Sequence, residues 1–132
     1  MPVALPVPGA VGVKALVVDD EPHIVELLKA CLEEEGYEVD GAGTASQALD
    51  LIRRTSYDFM VLDIMLPDMD GIMAHERIRA LDPALARKTI FVSGWVKSPE
   101  IREYLTSIGS FLPKPFSVEH LVEIARRFSS QN

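Results

Sequence analysis

Side chains that could handle a phosphoryl group follow four apolar segments of this 132-residue chain. They are, in chain order, Asp19 and Asp20 after the first segment, Asp63 after the second, Ser93 after the third and Lys114 after the fourth. Three carboxylates, one hydroxyl and one ammonium group would form a reactive site if folding brought them together. The sequence pattern therefore raises the question of which elements could do so.

Three carboxylates placed close together would repel one another. At a separation of ~4 Å, each pair of unit charges costs on the order of 4 kcal/mol at an effective dielectric constant near 20. Such a cluster needs a cation, and hard carboxylate oxygens without His or Cys favour Mg²⁺, with Mn²⁺ as an alternative. Asp63 could then be a covalent nucleophile toward phosphorus. Lys114 would neutralise charge on the transferred group, and Ser93 would donate to one of its oxygens.

Each of these side chains also has an ordinary structural interpretation. Asp19 and Asp20 could be the acids that favour a helix N-terminus, and Asp63 could cap the turn that follows it. Ser93 could be a turn residue, and Lys114 a solvated loop lysine. The joint occurrence of the right residue types after four separate strands favours a site.

Apolar periodicity predicts five strands and five helices in alternation. The predicted strands are Lys14–Val18, Tyr37–Ala42, Phe59–Leu62, Thr89–Val92 and Phe111–Leu112. The predicted helices begin at Pro22, after the cap at Thr44, at Ile72, after Ser98 and after Ser117, with Gly36 and Gly109 ending the first and fourth. The inward-facing residues are expected to include Ile24, Leu27, Leu28, Cys31, Leu32, Ala45, Ala48, Leu49, Ile52, Ala74, Ile78, Leu81, Ile101, Leu105, Ile108, Val118, Leu121, Val122, Ala125 and Phe128.

Strict alternation of this kind is typical of a parallel sheet with right-handed crossovers and helices on both faces. In such a sheet all strand carboxyl ends lie at one edge, where open α/β folds bind their ligands. The continuous apolar run Phe59–Leu62 is typical of a central strand that is covered on both faces. We therefore expect the five polar side chains to converge at that edge.

Composition narrows the possible functions. Acids outnumber bases by 20 to 13, and the net charge of −7 argues against nucleic-acid binding by this domain. No apolar stretch approaches the roughly 20 residues that span a bilayer, and the uncharged, proline-containing segment 1–13 lacks the features of a secretory signal. We expect a flexible leader over 1–13, one domain over 14–130 and a cytoplasmic location. His23, His75 and His120 are expected at the surface.

Four motifs together resemble the receiver domain of bacterial two-component response regulators. They are VVDDEP, VLDIMLPDMDG, FVSG and FLPKPF, in this order, and the resemblance extends over about residues 14–130. It implies a flavodoxin-like, three-layer α/β/α fold, with a doubly wound five-stranded parallel sheet of order 2-1-3-4-5. It also implies a phosphoacceptor signalling domain rather than an enzyme.

The resemblance assigns a role to each site residue. Asp63 matches the phosphoacceptor, while Asp20 and Asp19 match the acidic pair that holds Mg²⁺, the first directly and the second chiefly through water. The main-chain carbonyl of Met65 matches the third protein ligand of the metal. Lys114 matches the lysine of the site, and its bond to Pro115 is expected to be cis. The remaining two matches are Ser93, the switch hydroxyl, and Phe111, the switch aromatic residue.

The resemblance also implies partners and a switch. A histidine kinase or histidine phosphotransfer protein would supply the phosphoryl group, and Ser93 and Phe111 would then rearrange. That change would alter the surface formed by the fourth predicted helix, the fifth strand and the fifth predicted helix, where an effector or a second copy would dock. Met65 and Trp95 are expected to hinder water and slow autodephosphorylation. Trp95 could instead serve partner binding, and its fluorescence is expected to report ligand binding.

Other interpretations remain open from the sequence. The chain could be a receiver excised from a hybrid sensor kinase, or a degenerate receiver that acts only as a protein-binding module. A phosphatase of the haloacid dehalogenase type would need a second Asp two residues after Asp63, where Met65 stands. A flavodoxin relative would need a phosphate-binding loop after the first strand, where acids stand instead.

Overall fold

The computed structural model describes residues 12–94 and 98–129, and these form a five-stranded parallel sheet covered by helices on both faces. The strands are β1 Lys14–Val18, β2 Glu38–Ala42, β3 Phe59–Asp63, β4 Thr89–Ser93 and β5 Ser110–Pro113. The helices are α1 Pro22–Glu34, α2 Ala45–Arg54, α3 Gly71–Leu81, α4 Pro83–Arg87, α5 Pro99–Ile108 and α6 Val118–Ser129. The strand order is β2-β1-β3-β4-β5, which confirms the predicted order 2-1-3-4-5.

Alternating side chains of each strand build two separate apolar layers. Val17 of β1 packs with α1 and α6 on one face, whereas Leu16 and Val18 pack with α2, α3, α4 and α5 on the other. All five residues of β3 are buried, as expected of a central strand in a parallel sheet. Val13, immediately before β1, is also buried in the first of these layers. Within the described residues, no helix is long and apolar enough to cross a membrane.

Over residues 12–94 and 98–129, the structure contains one helix more than the sequence predicted. The sequence Asp82-Pro83 was interpreted as the end of the third helix, but it also begins α4. The Asp82 carboxylate accepts a hydrogen bond from Leu85 N at 3.1 Å, and Pro83 occupies the first turn, where its missing N–H costs nothing. The helices predicted as fourth and fifth are therefore α5 and α6.

The prediction that His75 lies at the surface is wrong. His75 is 3% exposed, and its Nε2 lies 2.8 Å from the carbonyl oxygen of Ala86 in the additional helix. Its ring also packs edge-on against Phe91, with ring centroids 5.0 Å apart. The unpredicted helix α4 supplies the cover that buries this side chain. His23 and His120 are exposed, as predicted.

Several residues predicted to face inward are exposed or only half-buried. The exposed ones are Leu27, Leu81, Ile101 and Val118, and Cys31 is only half-buried. Burial raises the pKa of the Cys31 thiol, and the charge of Glu34 adds to this effect. On α1, Val25 packs against the sheet instead, because Gly41 has no side chain there: a Cβ at Gly41 would lie 2.5 Å from Val25 Cγ1. The contact between Val25 and Gly41 thus helps to determine which face of α1 is turned toward the sheet.

A buried tyrosine between α2 and β3 gives a stability prediction. Tyr57 OH donates to Asp40 Oδ2 at 2.6 Å, and Tyr57→Phe should lower the free energy of unfolding by about 1 kcal/mol. Burial, followed by the hydrogen bond to Asp40, raises the pKa of Tyr57 from 10.0 to about 12. Because the folded-state pKa is raised, this stabilisation is complete below pH 10 and is lost as the pH rises toward 12.

Urea denaturation at neutral and alkaline pH measures both effects. The exposed Tyr104 offers a matched control, and Tyr104→Phe should leave the unfolding midpoint unchanged. Equal midpoints for the two variants at pH 7 would contradict the role of the Tyr57 hydroxyl.

Candidate functional site

The parallel register brings the predicted site residues to one edge of the sheet. Val18 lies beside both Ala42 and Leu62, Asp63 lies beside Val92, and Ser93 lies beside Pro113. The residues that follow β1, end β3 and β4, and follow β5 are therefore neighbours in space. Among the five polar side chains, Asp19, Asp63 and Ser93 are buried, Lys114 is half-buried and Asp20 is exposed.

The three predicted carboxylates form one cluster. Oxygen atoms from Asp19, Asp20 and Asp63 all lie within 4.8 Å of one another. Two of these side chains are oriented by nearby main-chain groups: Asp19 Oδ1 accepts from Glu21 N at 3.0 Å, and Asp63 Oδ1 accepts from Met65 N at 2.9 Å. The cluster is thus held by local turns as well as by the sheet.

Lys114 joins two of the carboxylates. Its Nζ donates to Asp19 Oδ2 at 2.8 Å and to Asp63 Oδ2 at 3.2 Å, across separations of 95 and 51 residues. Its main-chain N–H donates to Ser93 O at 2.7 Å, which attaches this residue to the end of β4. The Lys114–Pro115 peptide bond is cis, as the resemblance implied.

Burial dominates the electrostatics of the site. It raises the pKa of Asp63, and the charge of Asp19 raises it further, although the N–H of Met65 and the ammonium group of Lys114 act in the opposite direction. For Lys114, burial alone would lower the pKa. The hydrogen bond to Asp19 and the charges of Asp63 and Asp19 outweigh that effect, so the pKa of Lys114 is raised.

The donor set fits a divalent cation. Three carboxylates beside one ammonium group leave a net charge of −2 (three negative, one positive), which a divalent cation would cancel. All the clustered donors are carboxylate oxygens, the ligand type that Mg²⁺ and Mn²⁺ prefer. Asp20 is exposed, so the cluster can be reached from solvent.

A stability prediction follows from the crowding of these acids. Without divalent cations at pH 7, Asp63→Asn should raise the free energy of unfolding by about 1–3 kcal/mol, because it removes a buried charge from beside Asp19. The folded-state pKa of Asp63 is raised, so the unaltered protein should lose stability as the pH rises through that pKa. The variant should lose less over the same range.

Thermal unfolding in EDTA between pH 4 and pH 8 provides the measurement. Asp50 lies exposed on α2 and forms an ion pair with Arg53, so Asp50→Asn removes one acid outside the cluster and serves as the control. A decrease in stability for Asp63→Asn under these conditions would contradict the expected repulsion.

Three other residues were named from the sequence, and the structure describes two of them. Phe111 is half-buried beside Phe91 in the β4–β5 register, and the guanidinium carbon of Arg102 lies 5.9 Å from its ring centroid. Met65 is 63% exposed and pairs with Asp70 in an isolated antiparallel bridge. Trp95, for which two roles and a fluorescence response were predicted, lies outside the described residues.

Sequence reasoning did not identify two features beside the site. Asp68, in the β3–α3 loop, accepts hydrogen bonds from Ala45 N and Ser46 N at the start of α2, at 2.9 and 3.0 Å. An apolar groove of about 350 Å³ also lies beside Lys114, lined by Ile24, Leu27, Lys114, Pro115, Phe116 and Val118. The exposure of Leu27 could have been noticed only once the packing of α1 was known. No local motif indicates the Asp68 contact.

Comparison with known families agrees with the fold. The family model described as the response regulator receiver domain matches residues 15–126. The chain belongs to this family, and it is a signalling domain of two-component systems rather than a classical enzyme.

The chain is similar to transcriptional regulators of known sequence. The chain is 36% identical over 110 residues to the probable transcriptional regulatory protein TcrX of Mycobacterium tuberculosis, in an alignment that covers 83% of this chain and 47% of that protein. It is 32% identical to the transcriptional regulatory protein SrrA of Staphylococcus aureus, covering 81% and 44%. The chain thus spans less than half the length of these relatives.

Solved structures share the fold over nearly the whole chain. A CheY-like receiver domain protein from Methanospirillum hungatei superposes with a TM-score of 0.81 at 32% identity, covering 90% of this chain and 94% of that one. The response regulator TrrA from Thermotoga maritima, solved in complex with Mg²⁺–BeF, gives a TM-score of 0.76 at 34% identity, covering 88% and 98%.

Proposed function

We propose that Asp63 accepts a phosphoryl group from a histidine kinase or histidine phosphotransfer protein in a Mg²⁺-dependent reaction. The observation that carries this proposal is the contact of one ammonium group, Lys114 Nζ, with the carboxylates of both Asp19 and Asp63. Asp20 lies in the same cluster, which supports a role for Asp63 as a nucleophile beside a cationic hydrogen-bond donor and beside carboxylates that would bind a cation.

The proposed reaction forms one bond and breaks one bond. A carboxylate oxygen of Asp63 attacks phosphorus, and the bond from phosphorus to the donor imidazole nitrogen breaks, with the electron pair leaving on the imidazole. Lys114 donates to an oxygen of the transferred group, and Ser93 donates to another. Asp19, Asp20, Asp63 and the carbonyl of Met65 would hold Mg²⁺, which when bound neutralises phosphoryl charge.

Phosphorylation would be transmitted to the surface formed by α5, β5 and α6. Ser93 ends β4, and Phe111 of β5 lies beside Phe91, two residues before Ser93. A movement of Ser93 toward Asp63 would leave space that lets Phe111 turn inward. Ile101 and Tyr104 of α5 are already exposed on this surface. We propose that an effector protein or domain, or a second copy in a homodimer, binds there.

The partners follow from the same site. The apolar groove beside Lys114 supports docking of the phosphodonor, because it would bring a phosphohistidine next to Asp63.

TcrX and SrrA are described as transcriptional regulators, which supports an output in the cytoplasm, although this acidic domain itself is not proposed to bind nucleic acid. The proposal holds equally for a separate regulator and for a receiver within a hybrid kinase. The proposal is incompatible with a degenerate receiver that acts only as a protein-binding module.

We also propose that the phosphorylated chain loses its phosphoryl group slowly. Met65 is apolar and follows Asp63 by two residues. Trp95 is the second residue that was expected from the sequence to hinder the approach of water. Replacing both with small polar residues should shorten the lifetime of phosphorylated Asp63, because water would reach phosphorus more easily. Phosphate release after removal of excess donor measures that lifetime. An unchanged or longer lifetime in the double variant would contradict the hypothesis.

Incubation with acetyl phosphate and Mg²⁺ tests the proposed function. The unaltered protein should gain one phosphoryl group, located at Asp63 by reduction with borohydride and peptide mapping. EDTA or Asp63→Asn should abolish the gain, whereas the control Asp50→Asn should not. A folded protein that gains no phosphate, or gains it at another residue, would contradict the proposal. The first of these outcomes would favour a protein-binding module.

A further inference from the structure

The loop between β3 and α3 is attached to α2 by the carboxylate of Asp68. Its Oδ1 accepts from Ala45 N at 2.9 Å, and its Oδ2 accepts from Ser46 N at 3.0 Å, across 23 and 22 residues. These two bonds lower the pKa of Asp68, so the carboxylate is ionised at neutral pH. Both bonds are charge-assisted, and together they fix the orientation of the carboxylate.

Helix α2 does not depend on Asp68 for its own cap. Thr44, the residue before α2, accepts from Gln47 N at 3.1 Å through its hydroxyl oxygen. Asp68, from a different part of the chain, instead accepts from the N–H groups of the two preceding residues, Ala45 and Ser46. The contact therefore connects two elements, and its removal should leave α2 with an intact local cap.

The same loop carries the main-chain groups that face the phosphoacceptor. Met65 N donates to Asp63 Oδ1, and Met65 pairs with Asp70 across the base of the loop. Gly71 N donates to Ile64 O at 2.6 Å and closes that base. Asp68 lies between these paired residues, so its bonds to α2 restrain the tip of the loop whose base contacts Asp63.

We infer that Asp68 is a positioning residue, which holds the β3–α3 loop against α2 and so keeps the main chain of Met65 in place for cation binding at Asp63. This inference rests on the proposed function, in which the Met65 carbonyl is a ligand of Mg²⁺. Asp68 is exposed and does not belong to the carboxylate cluster. Its effect would therefore be exerted through the loop and not by direct contact with the cation.

Three variants separate positioning from the loss of a charge. Asp68→Ala removes both acceptor oxygens, and Asp68→Asn removes the charge but keeps one acceptor. Asp50→Ala removes an exposed charge from α2, one that pairs with Arg53 and not with the loop. We expect Asp68→Ala to weaken Mg²⁺ binding by about 10-fold, as loss of a group that orients a metal ligand commonly does. Asp68→Asn should recover part of this loss, and Asp50→Ala should bind as the unaltered protein does.

Two readouts do not require phosphorylation. Titration with Mg²⁺, followed by amide chemical shifts, gives the dissociation constant, and hydrogen exchange reports protection of the amides of Ala45, Ser46 and Met65. Faster exchange at all three amides in Asp68→Ala, together with weaker Mg²⁺ binding, would support the inference. Faster exchange only at Ala45 and Ser46, with Mg²⁺ binding unchanged, would mean a structural cap and would overturn it.

The rate of phosphorylation by acetyl phosphate at several Mg²⁺ concentrations completes the test. The rate of Asp68→Ala should fall at low Mg²⁺ and approach that of the unaltered protein at saturation. Equal losses in Asp68→Ala and Asp68→Asn would indicate a charge effect and would also overturn the inference. If the unaltered protein binds Mg²⁺ but accepts no phosphate, the proposed function fails, whereas the Mg²⁺ and exchange data still decide the role of Asp68.

Discussion

Phosphorylation by acetyl phosphate should be slowed about 100-fold or more in a Lys114→Met variant, the usual effect of removing one preorganised donor from a developing negative charge. Lys114 Nζ contacts the carboxylates of Asp19 and Asp63, so the incoming phosphoryl oxygens would meet it as they approach Asp63. Methionine keeps the apolar stem of the side chain and removes only the charge and the donor. Initial rates, measured from the intact mass of the protein, give the comparison.

The same variant should be less stable in the absence of Mg²⁺. Loss of the ammonium group leaves two buried carboxylates without their counter-ion, at a cost of up to about 3 kcal/mol, since Lys114 retains 19% side-chain exposure. Asp63→Asn is expected to increase stability and yet to abolish phosphorylation. If Lys114→Met lowers the stability and Asp63→Asn raises it, while both variants lose phosphorylation, then neither loss of phosphorylation results from unfolding.

Lys14→Met is the matched control for this prediction. Lys14 begins β1 at the opposite edge of the sheet, and its Nζ lies 3.7 Å from Asp40 Oδ2, so the substitution also removes a lysine that faces a carboxylate. Its phosphorylation rate should equal that of the unaltered protein. Equal rates for the two lysine variants would contradict a role for Lys114 in the reaction.

The second large effect is expected at Gly71, where alanine should lower the free energy of unfolding by about 3 kcal/mol. A Cβ at this position would lie 2.4 Å from Ile64 Cα, 2.8 Å from Asp63 O and 2.9 Å from Ile64 O. All three are backbone atoms, so no side-chain rotation can relieve the contact. The end of β3 must move, and Asp63 must move with it.

Thermal unfolding and phosphorylation rates measure the two consequences of this displacement. The midpoint of Gly71→Ala should fall by roughly 10 °C, and its phosphorylation should be slower even at temperatures where the protein is folded. Gly94→Ala is the control, because a Cβ at Gly94 would meet no atom within 4 Å, and its stability should change by less than about 0.5 kcal/mol. Similar stability losses in the two variants would refute the steric argument.

The ends of the strands were predictable because the signal is local. A fully buried strand needs consecutive apolar residues, and the first polar residue after them shows where the chain leaves the core. The strand boundaries of the structure lie within one residue of the predicted ones, and Asp63 and Ser93 proved to be the last residues of β3 and β4. Once the order of elements indicated a parallel sheet, the meeting of these side chains at one edge followed from topology.

Helix faces were less predictable, because an apolar stripe does not determine which of its sides faces the sheet. Leu27 was expected to be buried but is exposed, and Val25 packs on the sheet where Gly41 leaves room. His75 was expected at the surface but is covered by α4, whose start at Pro83 had been interpreted only as the end of α3. Both errors arise from contacts with a second element that periodicity does not encode.

Residue types and their order along the chain were sufficient to predict a parallel α/β fold and the group of side chains that meet at the edge of the sheet, whereas the strand order came from the resemblance to the receiver family. Tertiary structure alone determined the bridging of Asp19 and Asp63 by Lys114 and the attachment of Asp68 to α2, because these contacts depend on distances of a few ångströms between residues 22 to 95 positions apart. Hydrophobic patterning requires only that a residue be buried or exposed. A hydrogen bond requires two particular atoms to meet, and only the packed chain establishes which atoms do.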